Sequence, residues 1–170
     1  MLQEELTKYP DHHLGVVVKL ETQKAFSHLP WLLLTLMRSF PAAVMIARGD
    51  LAVECGWERL AELQEEILWF CQAADMPVIW ATQVLENLCK QGLASRAEIA
   101  DAAMSQAAEC VMLNKGPYIL EAISELRTIL NRMESHSSKN KNALRPLRIA
   151  RKNLKRIKSL WDNPGQEEDS

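Results

Sequence analysis

Ala43-Val44-Met45-Ile46-Ala47, followed at once by Arg48-Gly49-Asp50, is the stretch whose reading decides the fold. Five apolar residues run without alternation and stop at a charged cluster. A run this short, carrying β-branched Val44 and Ile46, reads as a parallel strand buried on both faces. The same design recurs three times. Gly15-Val16-Val17-Val18 leads to Lys19 and Glu21. Pro77-Val78-Ile79-Trp80-Ala81 leads to Thr82 and Gln83. Cys110-Val111-Met112-Leu113 leads to Asn114 and Lys115. Parallel α/β folds bind ligands at the carboxyl ends of their strands, so the four polar clusters outline an active site.

Helical patterns separate the runs. Leu29 to Phe40 has Pro30 near its start, which a first helical turn tolerates. Trp57 to Ala74 places Leu60, Leu63, Ile67, Leu68 and Cys71 on one face. Ser95 to Ala108 opens with Ser95 and Glu98 at capping-box spacing. Tyr118 to Met133 repeats apolar residues from Ile119 to Leu130. Strands alternating with helices imply right-handed crossovers and a parallel sheet. Four βα units, from about Leu14 to Glu134, supply half of a closed eight-stranded barrel; a small open doubly wound sheet is the other arrangement. No glycine-rich phosphate loop follows the first run, which weighs against a Rossmann or P-loop nucleotide site.

The 170 residues are 48% hydrophobic and 25% charged, the balance of a globular chain. The longest apolar stretch, Leu29 to Met37, is too short to span a membrane, and no apolar signal core opens the chain. Cys55, Cys71, Cys89 and Cys110 are scattered without metal-ligand spacing, and free thiols in an α/β chain lead us to expect the cytoplasm. Ser135 to Asn142 reads as a linker. Leu147, Ala150, Leu154, Ile157 and Trp161 then recur at helical spacing among Arg and Lys, ahead of an acidic end expected to be disordered. From Lys139 to Ser170, nine Lys/Arg against four Asp/Glu give +5, which leaves −7 of the total −2 on the rest. An acidic body is not a nucleic-acid-binding core. The expected division is residues 1–136 as the half-barrel and residues 137–170 as linker, basic amphipathic helix and acidic tail.

Lys19 and Glu21 lie two apart on a strand and so share a side, and Arg48 and Asp50 share that relation. A lysine beside two carboxylates suits a hard cation and a phosphoryl group. An internal ion pair closing the rim of the sheet is the competing account. Gly49 allows close backbone approach to an anion, or simply turns the chain. Thr82 and Gln83 are either hydrogen-bond donors to a ligand or caps of the next segment, as are Asn114 and Lys115. The histidines His12, His13, His28 and His136 read as surface groups. The five tryptophans read as packing groups.

Taken in order, Val18-Lys19-Leu20-Glu21, Met45-Ile46-Ala47-Arg48-Gly49-Asp50-Leu51, Ala81-Thr82-Gln83-Val84-Leu85-Glu86, Ser95-Arg96-Ala97-Glu98 with Asp101, and Val111-Met112-Leu113 resemble the second half of the catalytic barrel of the pyruvate kinase family, its strands 5 to 8. The resemblance implies an α/β half TIM barrel and phosphoryl transfer from phosphoenolpyruvate to ADP, giving pyruvate and ATP in glycolysis. It assigns Lys19 to the phosphoryl group in flight and Glu21 and Asp50 to Mg²⁺. Gly49 and Asp50 hold the substrate carboxylate through their N–H groups, and Thr82 lies beside that carboxylate and near the carbon that takes up a proton. Arg48 belongs to the same substrate-binding loop, which it braces. A K⁺ requirement is also implied, but its Asn, Ser and Asp ligands, with a phosphate-clamping arginine, belong to the first four strands, and the lid domain is likewise outside this chain. The family's last strand ends in Ser-Gly-Glu-Thr; this one ends in Asn114-Lys115-Gly116. Activity is therefore expected only with a complementing half-barrel, and the open sheet leads us to expect a homo-oligomer, two halves closing one barrel, or else an aggregation-prone monomer. A catalytically inactive truncated scaffold or interaction module is the alternative.

Overall fold

The structure, a computed structural model, describes residues 5, 8, 14–39 and 41–137. The expected basic helix and acidic end, with Trp161, His12 and His13, lie outside the described residues.

Each apolar run forms a strand: β1 (Val16–Leu20), β2 (Ala42–Ala47), β3 (Val78–Val84) and β4 (Cys110–Leu113). All three pairings are parallel and the order is β1-β2-β3-β4, the sequential order of a barrel wall rather than a doubly wound sheet. The register puts Leu20, Ile46, Trp80 and Val111 in one row and Lys19, Met45, Ile79 and Cys110 in the next. Neighbouring rows face opposite ways. The first row enters the core, where Leu20, Ile46 and Trp80 are fully buried.

Among the described residues seven α-helices join and follow the strands: α1 (Gln23–Ser27), α2 (Leu29–Leu36), α3 (Arg48–Cys55), α4 (Leu60–Ala73), α5 (Glu86–Gln91), α6 (Arg96–Met104) and α7 (Ile119–Ser137). Their apolar residues close over the buried row. Leu29, Leu33 and Leu36 of α2, Leu63, Ile67 and Cys71 of α4, Leu88 of α5, and Ala122 and Ile129 of α7 join one core with the strands. Burial on this scale supplies most of the stability; truncating Trp80 to Ala would cost about 3–5 kcal/mol.

Four expectations need correction. Burial on both faces does not hold for β1 and β4, because Val17 (49% exposed) and Met112 (37%) stand on a face that no helix covers. The segment from Leu29 ends at Leu36 as a helix, and α1, which the periodicity missed, precedes it. Its cap is local: the Ala25 N–H donates to Thr22 Oγ1 at 3.1 Å. The linker does not begin at Ser135, because α7 runs to Ser137. Among the tryptophans Trp80 is core, but Trp31 and Trp57 are exposed.

Candidate active site

Lys19 sits near the end of β1, with Glu21 just past it. The Lys19 ammonium donates to Glu21 Oε2 and to Asp50 Oδ2, the latter at 3.1 Å. One cation thus gathers two carboxylates from separate elements. All three side chains are about half exposed, so the cluster opens to solvent. The bonds to Glu21 and then Asp50 raise the Lys19 pKa above its ordinary value, which keeps the ammonium charged at neutral pH.

The Arg48-Gly49-Asp50 cluster is not a strand continuation, so the shared-side expectation for Arg48 and Asp50 is corrected. These residues are the first turn of α3, with Ala47 as its cap and Asp50 as the acid of that turn. Backbone N–H groups of a first turn have no intrahelical partner and favour negative charge. The register explains the position: Ala47 pairs with Ala81, so the turn following β2 meets the end of β3. A Cβ on Gly49 would stand 3.3 Å from Thr82 Oγ1 and 3.4 Å from Gln83 Oε1. Any side chain there would oblige the Thr82 hydroxyl to give way by a few tenths of an ångström. The chain therefore brings Lys19, Glu21, Gly49, Asp50 and Thr82 to one rim.

Arg48 faces the other way. It is buried, with its guanidinium 4.7 Å from the Trp80 ring centroid. Its Nε donates to the Ala81 carbonyl at 2.9 Å, and its terminal nitrogens donate to the Thr82 carbonyl and to Asp101 on α6. Asp101 had no assigned chemistry in the sequence. A usable signal existed: an arginine directly after a buried strand must find an acid. Past Thr82 the backbone takes left-handed φ angles of 60° at Gln83 and 49° at Leu85. Such residues cost about 1–3 kcal/mol each and gather at ligand sites.

At the end of β4, Gly116 lies against α5: a Cβ there would fall 2.0 Å from the Cys89 carbonyl oxygen. Tyr118 N–H donates to that same oxygen at 3.1 Å. These contacts account for the glycine after Asn114 and Lys115 as a packing device. His28 Nδ1 lies 2.8 Å from the Lys24 carbonyl oxygen at the end of α1. Its position is that of a helix terminus rather than a ligand.

Among the described residues no group of three or more His, Cys, Asp or Glu side chains could hold a metal ion. Glu21 and Asp50 nevertheless fit Mg²⁺, which is bound through one or two carboxylates and completes its shell with water and substrate oxygens.

Parallel strands in sequential order, with helices on one side and a cation–carboxylate cluster at the carboxyl ends, define part of a β/α barrel. The family model described as "Pyruvate kinase, barrel domain" matches residues 3–123, and the chain belongs to the pyruvate kinase family. Pyruvate kinase isozyme G, chloroplastic, of Ricinus communis is 33% identical over 143 residues, 81% of this chain and 33% of the relative. Plastidial pyruvate kinase 3, chloroplastic, of Arabidopsis thaliana is 33% identical over 128 residues, 72% of this chain and 22% of the relative. The pyruvate kinase of Hypocrea jecorina is 42% identical over 89 residues, 49% of this chain and 16% of the relative. The chain thus matches a third or less of the length of these relatives.

Proposed function

We propose that this chain carries part of a phosphoryl-transfer site that takes the phosphoryl group of phosphoenolpyruvate to ADP. The observation that supports the reading best is the Lys19 ammonium bridging Glu21 and Asp50 at the strand ends. Phosphoryl transfer is chiefly positioning and charge neutralisation. Lys19 supplies an exposed cation on a flexible stem to offset phosphoryl charge. Gly49 and Asp50 present first-turn N–H groups to the substrate carboxylate. Thr82 places a hydroxyl beside that carboxylate, close to the carbon that is protonated. Glu21 and Asp50 would hold Mg²⁺. When bound, that ion supplies Lewis-acid stabilisation of phosphoryl and enolate charge. No described residue is assigned to K⁺. Arg48 serves the site from behind.

A complementing half-barrel would complete this site, and the sheet is suited to receive one. Among the described residues β1 and β4 each have a single strand neighbour. Val17 and Met112 are exposed beside them. A second copy of the chain could pair its edge strands with these, closing eight strands. The same exposed face favours the second reading, an inactive scaffold or interaction module. The two separate in a titration with Mg²⁺ and phosphoenolpyruvate. Metal-dependent binding that needs Glu21 and Asp50 supports the enzymatic reading; binding indifferent to Glu21→Ala with Asp50→Ala leaves only the scaffold. No helix is long and apolar enough to cross a membrane among the described residues. We infer a cytoplasmic setting from the four free cysteines.

A further inference from the structure

We propose that Asp101 is a positioning residue for the anion-binding turn, acting through Arg48; this rests on the reading of the Gly49–Thr82 rim as the substrate site. Asp101 lies on α6, whose start is fixed by a complete capping box. Glu98 N–H donates to Ser95 Oγ at 3.2 Å and Ser95 N–H donates to Glu98 Oε2 at 2.8 Å. Glu98 Oε1 also accepts from the Asn87 N–H at 2.6 Å, which ties α6 to α5. From this anchored helix Asp101 meets one end of the Arg48 guanidinium. The other donors of Arg48 meet the Ala81 and Thr82 carbonyls, and its flat face lies over Trp80.

The consequence is geometric. Arg48 is the first residue of α3, so fixing its side chain fixes the start of the turn that carries Gly49 and Asp50. The same guanidinium holds the backbone on both sides of the Ala81–Thr82 peptide bond. One planar fork therefore sets the distance between the Gly49 backbone and the Thr82 hydroxyl. A guanidinium has several donors in a rigid plane, which suits it to this task where lysine would not. Without Asp101 the arginine keeps its carbonyls but loses its counter-charge inside the protein, where an unpaired charge is unfavourable. It then reorients toward water, and both halves of the turn move with it. Asp101 touches no ligand in this account.

The test is NMR on the full chain, first without ligand. Asp101→Asn is expected to shift or broaden the backbone amide signals of Gly49, Asp50 and Thr82 and to displace the Arg48 Nε–H signal. Glu98→Gln is the control: it removes a charge from α6, but glutamine can keep the capping box, so Asp101 stays anchored and those signals stay in place. With Mg²⁺ and phosphoenolpyruvate added, Asp101→Asn is expected to weaken binding by about tenfold or more, a small misplacement being enough to cause this. Unchanged Gly49, Thr82 and Arg48 Nε–H signals in Asp101→Asn overturn the proposal, as does an equal disturbance in Glu98→Gln. If Asp101→Asn does not fold, the unmodified chain decides. A slowly exchanging Arg48 Nη–H, on the nitrogen that donates to Asp101, supports the proposal, and one that exchanges like free arginine overturns it. Absence of phosphoenolpyruvate binding by the unmodified chain would instead count against the substrate reading, and the ligand-free signals would still judge Asp101.

Discussion

Lys19 Nζ lies 3.1 Å from Asp50 Oδ2, a contact between the end of β1 and the first turn of α3 across 31 residues of sequence. It exists because β1 and β2 pair in register, Lys19 opposite Met45 and Leu20 opposite Ile46. Asp50 comes within reach because the strand stops at Ala47 and a helix begins without a loop.

Replacing Lys19 by Met is expected to separate two kinds of binding. Glu21 and Asp50 lose their shared ammonium and repel one another, so a divalent cation becomes the better partner. Mn²⁺ binding alone, followed by electron paramagnetic resonance, should tighten a few-fold, by about the effect of one neighbouring charge at an exposed site. Phosphoenolpyruvate binding should weaken in the same variant. Parallel loss of both would show that Lys19 holds the rim together rather than serving the ligand.

Gly49→Ala tests the close approach to Thr82. The added methyl meets Thr82 Oγ1 at 3.3 Å, so the hydroxyl must give way by a few tenths of an ångström. Alanine also gains about 1 kcal/mol of helix propensity over glycine. The two effects oppose, and the thermal midpoint should move little. Affinity for phosphoenolpyruvate should nevertheless fall clearly, because the methyl occupies the space beside the N–H groups. A variant that binds as well as the parent would remove Gly49 from the site.

The cap of α6 predicts a pH dependence. Burial pushes the Glu98 carboxyl up, but hydrogen bonds from the Ser95 and Asn87 N–H groups and from the Ser95 hydroxyl outweigh it and hold the pKa below its ordinary value. A depressed folded-state pKa contributes stability that is complete above the unfolded value and is lost as pH falls through the folded one. Glu98→Gln should therefore lower the urea midpoint at neutral pH, and the deficit should shrink as the solution is acidified below the ordinary glutamate range. Ser95→Ala should cost about 1 kcal/mol at neutral pH. A Glu98→Gln deficit that persists unchanged at low pH would contradict this account.

The thiols should react in an order set by burial. Burial pushes the Cys71 pKa up to about 12, with Glu109 adding to it, whereas Cys110 is exposed at the start of β4. Thiolate is the reactive form. Mass spectrometry after brief maleimide treatment at mild alkaline pH should find Cys110 labelled and Cys71 unlabelled. If Cys71 is labelled as fast, the packing of α4 against the sheet is wrong.

Much of this molecule was legible in its sequence because parallel strands announce themselves. Val44 to Ile46 and Val78 to Trp80 are too short and too apolar for an alternative, whereas their order stayed open between a barrel wall and a doubly wound sheet until the pairing was seen. Ser95 and Glu98 announced a helix start that the structure reproduces bond for bond. Other features were hidden for physical reasons. Helix α1 has five residues, less than two turns, so no period could show. Arg48 reads as a rim cation when judged by its neighbours Gly49 and Asp50. Its burial depends on Trp80 and Asp101, brought near only by the sheet and by α6. An uncovered apolar face was expected of an open half barrel; that Val17 and Met112 are the residues standing on it was not, since apolar residues carry no mark of what covers them.

The most direct test of the central claim is isothermal titration of the 170-residue chain with phosphoenolpyruvate, with and without Mg²⁺, in the parent and in Asp50→Ala. The account predicts binding that requires Mg²⁺ and disappears in Asp50→Ala while the thermal midpoint is kept. Binding of equal strength without the metal, or undiminished in Asp50→Ala, would contradict it.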